Sequence, residues 1–158
     1  MRIEASPAGF EDWEGLRALV AAAFAGMTGR IDPPSSLDAM TAGDFAALAG
    51  AGPWWLAREG AAPAGCLFGA RREGALYLSK LAVRPDRQGL GIGRALVEAA
   101  AAWARVEGLA ALTLGTRVEL VGNHAAFARM GFVETGRSAH AGYDRPTSVA
   151  MRRELGAG

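Results

Sequence analysis

Between Leu76 and Gly93 the chain reads LYLSKLAVRPDRQGLGIG, and this stretch constrains everything around it. An apolar run of strand character meets a short polar link, then glycines at 89, 91 and 93, then a long amphipathic segment. Glycines ahead of a helix let the backbone turn sharply and present N–H groups that have no partner inside the helix. Those groups and the helix dipole together attract an anion. The rest of the chain must supply a sheet for the strand, a layer against the helix, and a place for a second substrate.

The strand is irregular. Leu76 and Leu78 share one face by alternation, whereas Leu81 and Val83 fall in the opposite phase. Because strand periodicity is two, one extra residue restores a common apolar face. A β-bulge is therefore predicted near Ser79-Lys80, where pairing with the next strand breaks and backbone groups are left for an extended ligand.

The flanking segments read as one α/β domain over residues 1–158. Residues 2–5 form a short strand. Ser6-Pro7 opens a helix over 8–25, with Phe10, Trp13, Leu16, Val20 and Phe24 at helical spacing. The stretch 26–36, GMTGRIDPPSS, is a loop whose Ser36 caps a second helix over 37–49. Strands at 54–58, 63–71 and 75–83 are joined by short turns and form an antiparallel meander. The helix after the glycines turns Ile92, Leu96, Ala99, Trp103 and Val106 inward, pairs Arg94 with Glu98 outside, and stops at Gly108. A strand at 110–116 runs parallel to 75–83, since a helix crosses between them. A short helix spans 123–130, and strands at 132–138 and 147–154 close an antiparallel pair.

Composition narrows the function. Seventeen Lys and Arg stand against 16 Asp and Glu, a net charge of +1, which makes no electrostatic case for a nucleic-acid or membrane partner. The one cysteine, Cys66, reads as a buried strand residue, and no Cys/His cluster has zinc spacing, so no metal is expected. The N-terminal stretch lacks the apolar run of a secretion signal, which points to a cytoplasmic chain.

Two familiar glycine loops fail. A Walker A loop ends in Gly-Lys-Ser/Thr, and here the end is Gly93-Arg94-Ala95. A dinucleotide loop needs a third glycine where Arg94 stands, and an acidic residue at the end of the next strand, which ALTLGT does not offer. What remains is Q-x-x-G-x-G, from Gln88, Gly91 and Gly93. In the order LYLSKLAV, RPDRQGLGIG, helix, ALTLGT and NHAAFARMGF, residues 75–132 resemble the GNAT superfamily of N-acetyltransferases.

The resemblance implies a GNAT-like mixed, splayed sheet with a bulged fourth strand and about four flanking helices. It implies acetyl-CoA in the gap between strands four and five. Backbone groups of Leu81, Ala82 and Val83 would pair with the pantetheine. Those of Gln88, Gly89, Leu90, Gly91, Ile92, Gly93 and Arg94 would cradle the pyrophosphate. Asn123 matches a position whose side chain reaches the pantetheine; as a plain structural residue it caps the short helix. Many relatives carry a proton-donating Tyr four residues before a Gly-Phe pair. Here Gly131-Phe132 is that pair and the position holds Phe127, which lines the cofactor but cannot donate a proton.

Direct transfer to an amine also needs a base. Glu119, just past the parallel strand, and His124, at a helix start that favours the proton-accepting imidazole, are the catalytic candidates. Tyr77, Ser79 and Lys80 flank the bulge as further polar groups. In this fold the loop after the first helix and the last hairpin border the acceptor. Arg30, Asp32 and Ser35 are thus expected to face His140, Tyr143 and Arg145 across one cleft, and Lys80 is a further substrate-binding candidate. That mixed charge suits a small, amino-acid-like amine. The alternative is a catalytically weak acyl-CoA-binding or sensing protein, and exposed sheet edges leave homodimerisation open.

Overall fold

The computed structural model describes residues 1–27 and 29–156. Within them lie strands β1 (Arg2–Ala5), β2 (Trp54–Glu59), β3 (Ala62–Arg72), β4 (Ala75–Val83), β5 (Ala111–Arg117), β6 (Val133–Ser138) and β7 (Ser148–Glu154). The helices are α1 (Trp13–Phe24), α2 (Ala42–Ala51), α3 (Ile92–Val106) and α4 (Val121–Arg129). The strands make one mixed sheet in the order β1-β2-β3-β4-β5-β7-β6. Only β4 and β5 run parallel, and α3 is the crossover that makes this possible. No described helix is long and apolar enough to cross a membrane.

Each face of the sheet carries its own core. One lies under α3, where Ile92, Leu96, Val97, Ala100, Ala101 and Ala104 are buried. Close packing there needs Gly65 on β3, because a Cβ would stand 2.9 Å from the Ala82 carbonyl oxygen and 3.3 Å from Leu96. The other core lies under α1 and α2, where Trp54 stacks on Phe68 at 5.5 Å. The inward face of α3 differs from the expected one in its last turn. Val106 is 86% exposed, and Trp103 packs edge-on to Trp55 from the border of the core.

The β4 bulge forms where the phase slip put it. Cys66 pairs with Ala82 and Phe68 with Ser79, so Lys80 and Leu81 together stand opposite Leu67. Lys80 takes the left-handed conformation, φ 57°, that accommodates the extra residue. The Cys66 thiol lies 3.6 Å from the Lys80 carbonyl oxygen. It is fully buried, and burial pushes its pKa up to about 12.

Three helix starts differ from the sequence reading. α1 begins at Asp12, whose carboxylate accepts from the Gly15 amide at 3.0 Å; Ser6 instead turns with φ 41° and bonds back to Trp54. The apolar spacing misled at Phe10, which packs on Trp13 and Trp54 from a loop. The expected helix over 37–49 is two pieces. Ser35, not Ser36, caps a 3-10 turn over Ser36–Ala39, and a Thr41/Asp44 capping box then starts α2. α4 starts after Leu120, so Asn123 sits inside its first turn and is not its cap. The surface pair Arg94–Glu98 does not form. Glu98 instead accepts two bonds from Arg153, at 2.7 and 3.3 Å, and Arg94 donates to the Arg129 carbonyl.

Candidate active site

β4 and β5 pair only at Leu76↔Leu112, Tyr77↔Thr113 and Leu78↔Leu114. Beyond Leu78 the bulge turns β4 away and the strands part. The gap is the floor of a cleft of about 760 Å³. One wall is the bulged run Ser79 to Val83, and the other is Leu114 to Arg117. Asn123 and Phe127 of α4 close one side, and Phe127 is fixed edge-on against Phe132 at 5.8 Å. Of the residues the sequence assigned to the cofactor, Leu81, Ala82, Val83, Gln88, Gly93, Asn123 and Phe127 line this cleft.

At one end of the cleft stands the glycine loop. Gly89 and Gly91 adopt φ 80° and 85°, a region that side-chain-bearing residues resist. Gly91 precedes α3 with no side-chain cap, so the first-turn amides of α3 are left for another acceptor. Gly93 has a helical backbone, and a Cβ there would meet only Val83 at an ordinary 3.8 Å. The protein's own packing therefore does not demand glycine at 93. Gln88 ties the loop to the strand by donating to the Val83 carbonyl at 3.1 Å. Leu90 points outward, Ile92 is buried in the core, and Arg94 turns to α4.

The other end is built by the loop after α1. Arg30 and Ser35 line the cleft, and Lys80 reaches it from the bulge. Asp32 lies beside the cleft and is held by the connection between β6 and β7. Its carboxylate accepts from the Tyr143 hydroxyl at 2.5 Å and from Arg145 at 2.9 Å. The bond to Asp32 raises the Tyr143 pKa. Arg117 donates to the carbonyls of Pro33 and Pro34 at 2.6 and 3.4 Å. Sequence reasoning missed Arg117; its only signal was its place at the C-terminal end of the parallel strand. His140, by contrast, is engaged locally: its amide donates to the Thr147 hydroxyl at 2.8 Å, and its Nδ1 meets the same oxygen.

The two catalytic candidates sit at the rim, outside the lining. One Glu119 oxygen accepts from the Asp32 amide at 3.2 Å. The other is shielded from solvent and has no donor among the described residues. His124 Nε2 lies 2.8 Å from the Arg117 carbonyl oxygen, which can only accept, so Nε2 carries a proton and Nδ1 is the nitrogen left free of that contact. Lys80 takes part in none of the ion pairs among the described residues. Burial lowers its pKa. The charged residues lining the cleft are Arg30, Lys80 and Arg117, and no described lining residue is a carboxylate.

The profile of the acetyltransferase (GNAT) family matches residues 13–132. A stretch of 61 residues is 46% identical to an aminoglycoside N(6')-acetyltransferase type 1 of Stenotrophomonas maltophilia, covering 39% of this chain and 40% of that protein. The chain thus matches less than half the length of that relative. The fold matches the PaiA N-acetyltransferase of Thermoplasma acidophilum, solved with coenzyme A, at a TM-score of 0.77 and 14% identity, covering 98% and 99% of the two chains. It also matches the ribosomal-protein-S18-alanine N-acetyltransferase of Escherichia coli at a TM-score of 0.73 and 20% identity, covering 99% and 96%.

Proposed function

The chain belongs to the acetyltransferase (GNAT) family, and on that premise we propose that this acetyltransferase moves the acetyl group of acetyl-CoA directly to the primary amine of a small, amino-acid-like molecule held in the same complex. The observation that carries the proposal is the parting of β4 from β5 after Leu78, next to a helix whose glycine start has no cap. The unpaired edge of Leu81 to Val83 suits a pantetheine arm, which carries amides and can pair as a short added strand. The uncapped amides at the start of α3 suit a pyrophosphate. The thioester then lies near the bulge, with the acceptor end of the cleft before it.

Glu119 is the proposed proton acceptor. It stands just past the C-terminal end of β5 at the rim of the cleft, bonded to the Asp32 amide of the acceptor-side loop, and takes the ammonium proton through water. His124, with Nδ1 open, is the second candidate. As the amine adds to the thioester carbon, the carbonyl oxygen becomes an oxyanion, and backbone N–H groups of the open β4 edge are the available donors. Phe127 supplies no proton to the departing sulfur. A thiolate is stable enough to leave unprotonated, since ordinary thiols ionise near pH ~8.5. The cations Arg30, Lys80 and Arg117 favour an acceptor bearing a carboxylate over a polycation such as an aminoglycoside.

Thiol release from acetyl-CoA over a panel of amino acids, their amides, aminoglycosides and peptides tests this. Carboxylate-bearing amines should turn over best, and Glu119→Gln should lower kcat by about 100-fold or more. Tight coenzyme A binding with no turnover on any amine would instead favour an acyl-CoA sensor, the reading that the missing acid at Phe127 supports.

A further inference from the structure

Seventeen side chains of this chain are Lys or Arg, and all but one are arginine. The exception is Lys80. It occupies the extra position of the β4 bulge, in a left-handed conformation that costs a residue with a Cβ, and it lines the acyl-CoA cleft. Arginine does not lose its proton in a protein, whereas an amine can, and it becomes a nucleophile when it does. Nothing nearby opposes this. None of the ion pairs among the described residues includes Lys80, and no described residue lining the cleft is a carboxylate that would hold the ammonium form. Partial burial acts in the same direction.

We propose that Lys80 is itself an acetyl acceptor, modified by the acetyl-CoA bound in its own cleft when no amine substrate is present. The inference rests on the acetyl-CoA seat proposed above. The neutral Nζ adds to the thioester carbonyl carbon and forms a C–N bond. The tetrahedral adduct collapses with cleavage of the C–S bond. The proton lost from nitrogen goes, directly or through water, to the departing thiolate. The products are N6-acetyl-lysine and free coenzyme A, with no further reactant needed. Position supplies the reactivity. The strand edge assigned to the pantetheine begins one residue after Lys80, which sets the reacting carbonyl within the span of a lysine side chain. The modification removes a positive charge from the cleft and fills part of the acceptor's space. A chain starved of acceptor would thus convert itself to a form that binds acceptor poorly.

The chain carries its own control. In the protein expressed from Met1, the α-amine at Met1 is exposed and lies outside the cleft, so it reports acetylation without the acetyl-CoA seat. The full-length protein is incubated with acetyl-CoA alone, and acetylation at Lys80 and Met1 is followed by peptide mass spectrometry. Lys80 should acquire one acetyl group at least about tenfold faster than Met1, and an excess of free coenzyme A should suppress Lys80 but not Met1. Lys80→Arg should leave only the Met1 signal. Equal rates at the two amines, or no effect of coenzyme A, would overturn the proposal. Coenzyme A binding is measured alongside by thermal shift. Binding with turnover but no preference for Lys80 defeats this inference alone, whereas absence of binding defeats the acetyl-CoA seat as well.

Discussion

At the scale of single residues, glycine separates two demands that look alike in the sequence. Gly89 and Gly91 are needed for backbone shape, because both lie at positive φ. Gly93 is needed for neither shape nor internal packing. Glycine in a helical turn costs up to about 1 kcal/mol relative to alanine, so an uncompensated one points to a ligand that must come close. Gly93→Ala should leave the melting temperature unchanged or raised, while the KM for acetyl-CoA rises by about tenfold. A variant that bound acetyl-CoA as well as the parent would remove Gly93 from the cofactor site. The glycine pattern and the phase slip at Ser79-Lys80 were legible because each is a local rule of backbone geometry. The partners of Glu98, Arg94 and Asn123 were not, because they depend on which distant element arrives beside them.

At the scale of elements, the loop after α1 is the most dependent part of the molecule. It has no regular structure over 29–35, and its position comes from others: Arg117 on its proline carbonyls, Glu119 on its Asp32 amide, and Tyr143 and Arg145 on the Asp32 carboxylate. Sequence reading set the loop opposite the last hairpin, and of the six residues named Asp32 meets Tyr143 and Arg145, while His140 is held by Thr147. What it did not foresee is that Asp32, Tyr143 and Arg145 spend their polar groups on one another. They act as a strap beside the cleft, and Arg30 and Ser35 are left to face inward. Exposed ion pairs contribute little to stability, about 0–1 kcal/mol. Asp32→Asn should therefore barely change the melting temperature. It should loosen the loop and raise the KM for the amine by about fivefold with little change in that for acetyl-CoA. Equal increases in both constants would show that the strap shapes the whole cleft. Helix ends were the least legible elements. Phe10 keeps helical spacing without being helical, and only the Asp12 cap decides where α1 begins.

At the scale of the whole molecule, the sheet has two halves joined at three residue pairs of β4 and β5, and the substrates are proposed to lie where the join ends. The core under α3 spans the join, packing Leu112, Leu114, Val149 and Met151 of one half with Leu76 and Leu78 of the other. In the core under α1 and α2 the Cys66 thiol is sealed against the bulge, with its pKa pushed up to about 12. In the unfolded chain the thiol returns toward its ordinary value of 9.0. Below pH 9 the folded and unfolded forms both keep the proton, so Cys66 adds no pH dependence. Above it, the unfolded form alone ionises, and stability should fall toward pH 12 in the parent but not through this group in Cys66→Ala. The same burial has a practical consequence for anyone measuring turnover with a thiol-reactive dye. The folded chain should be silent to the reagent, so that early colour counts only the coenzyme A released by the proposed transfer. One additional equivalent per chain appears only when the fold is lost, which makes each assay its own record of how much enzyme was still intact.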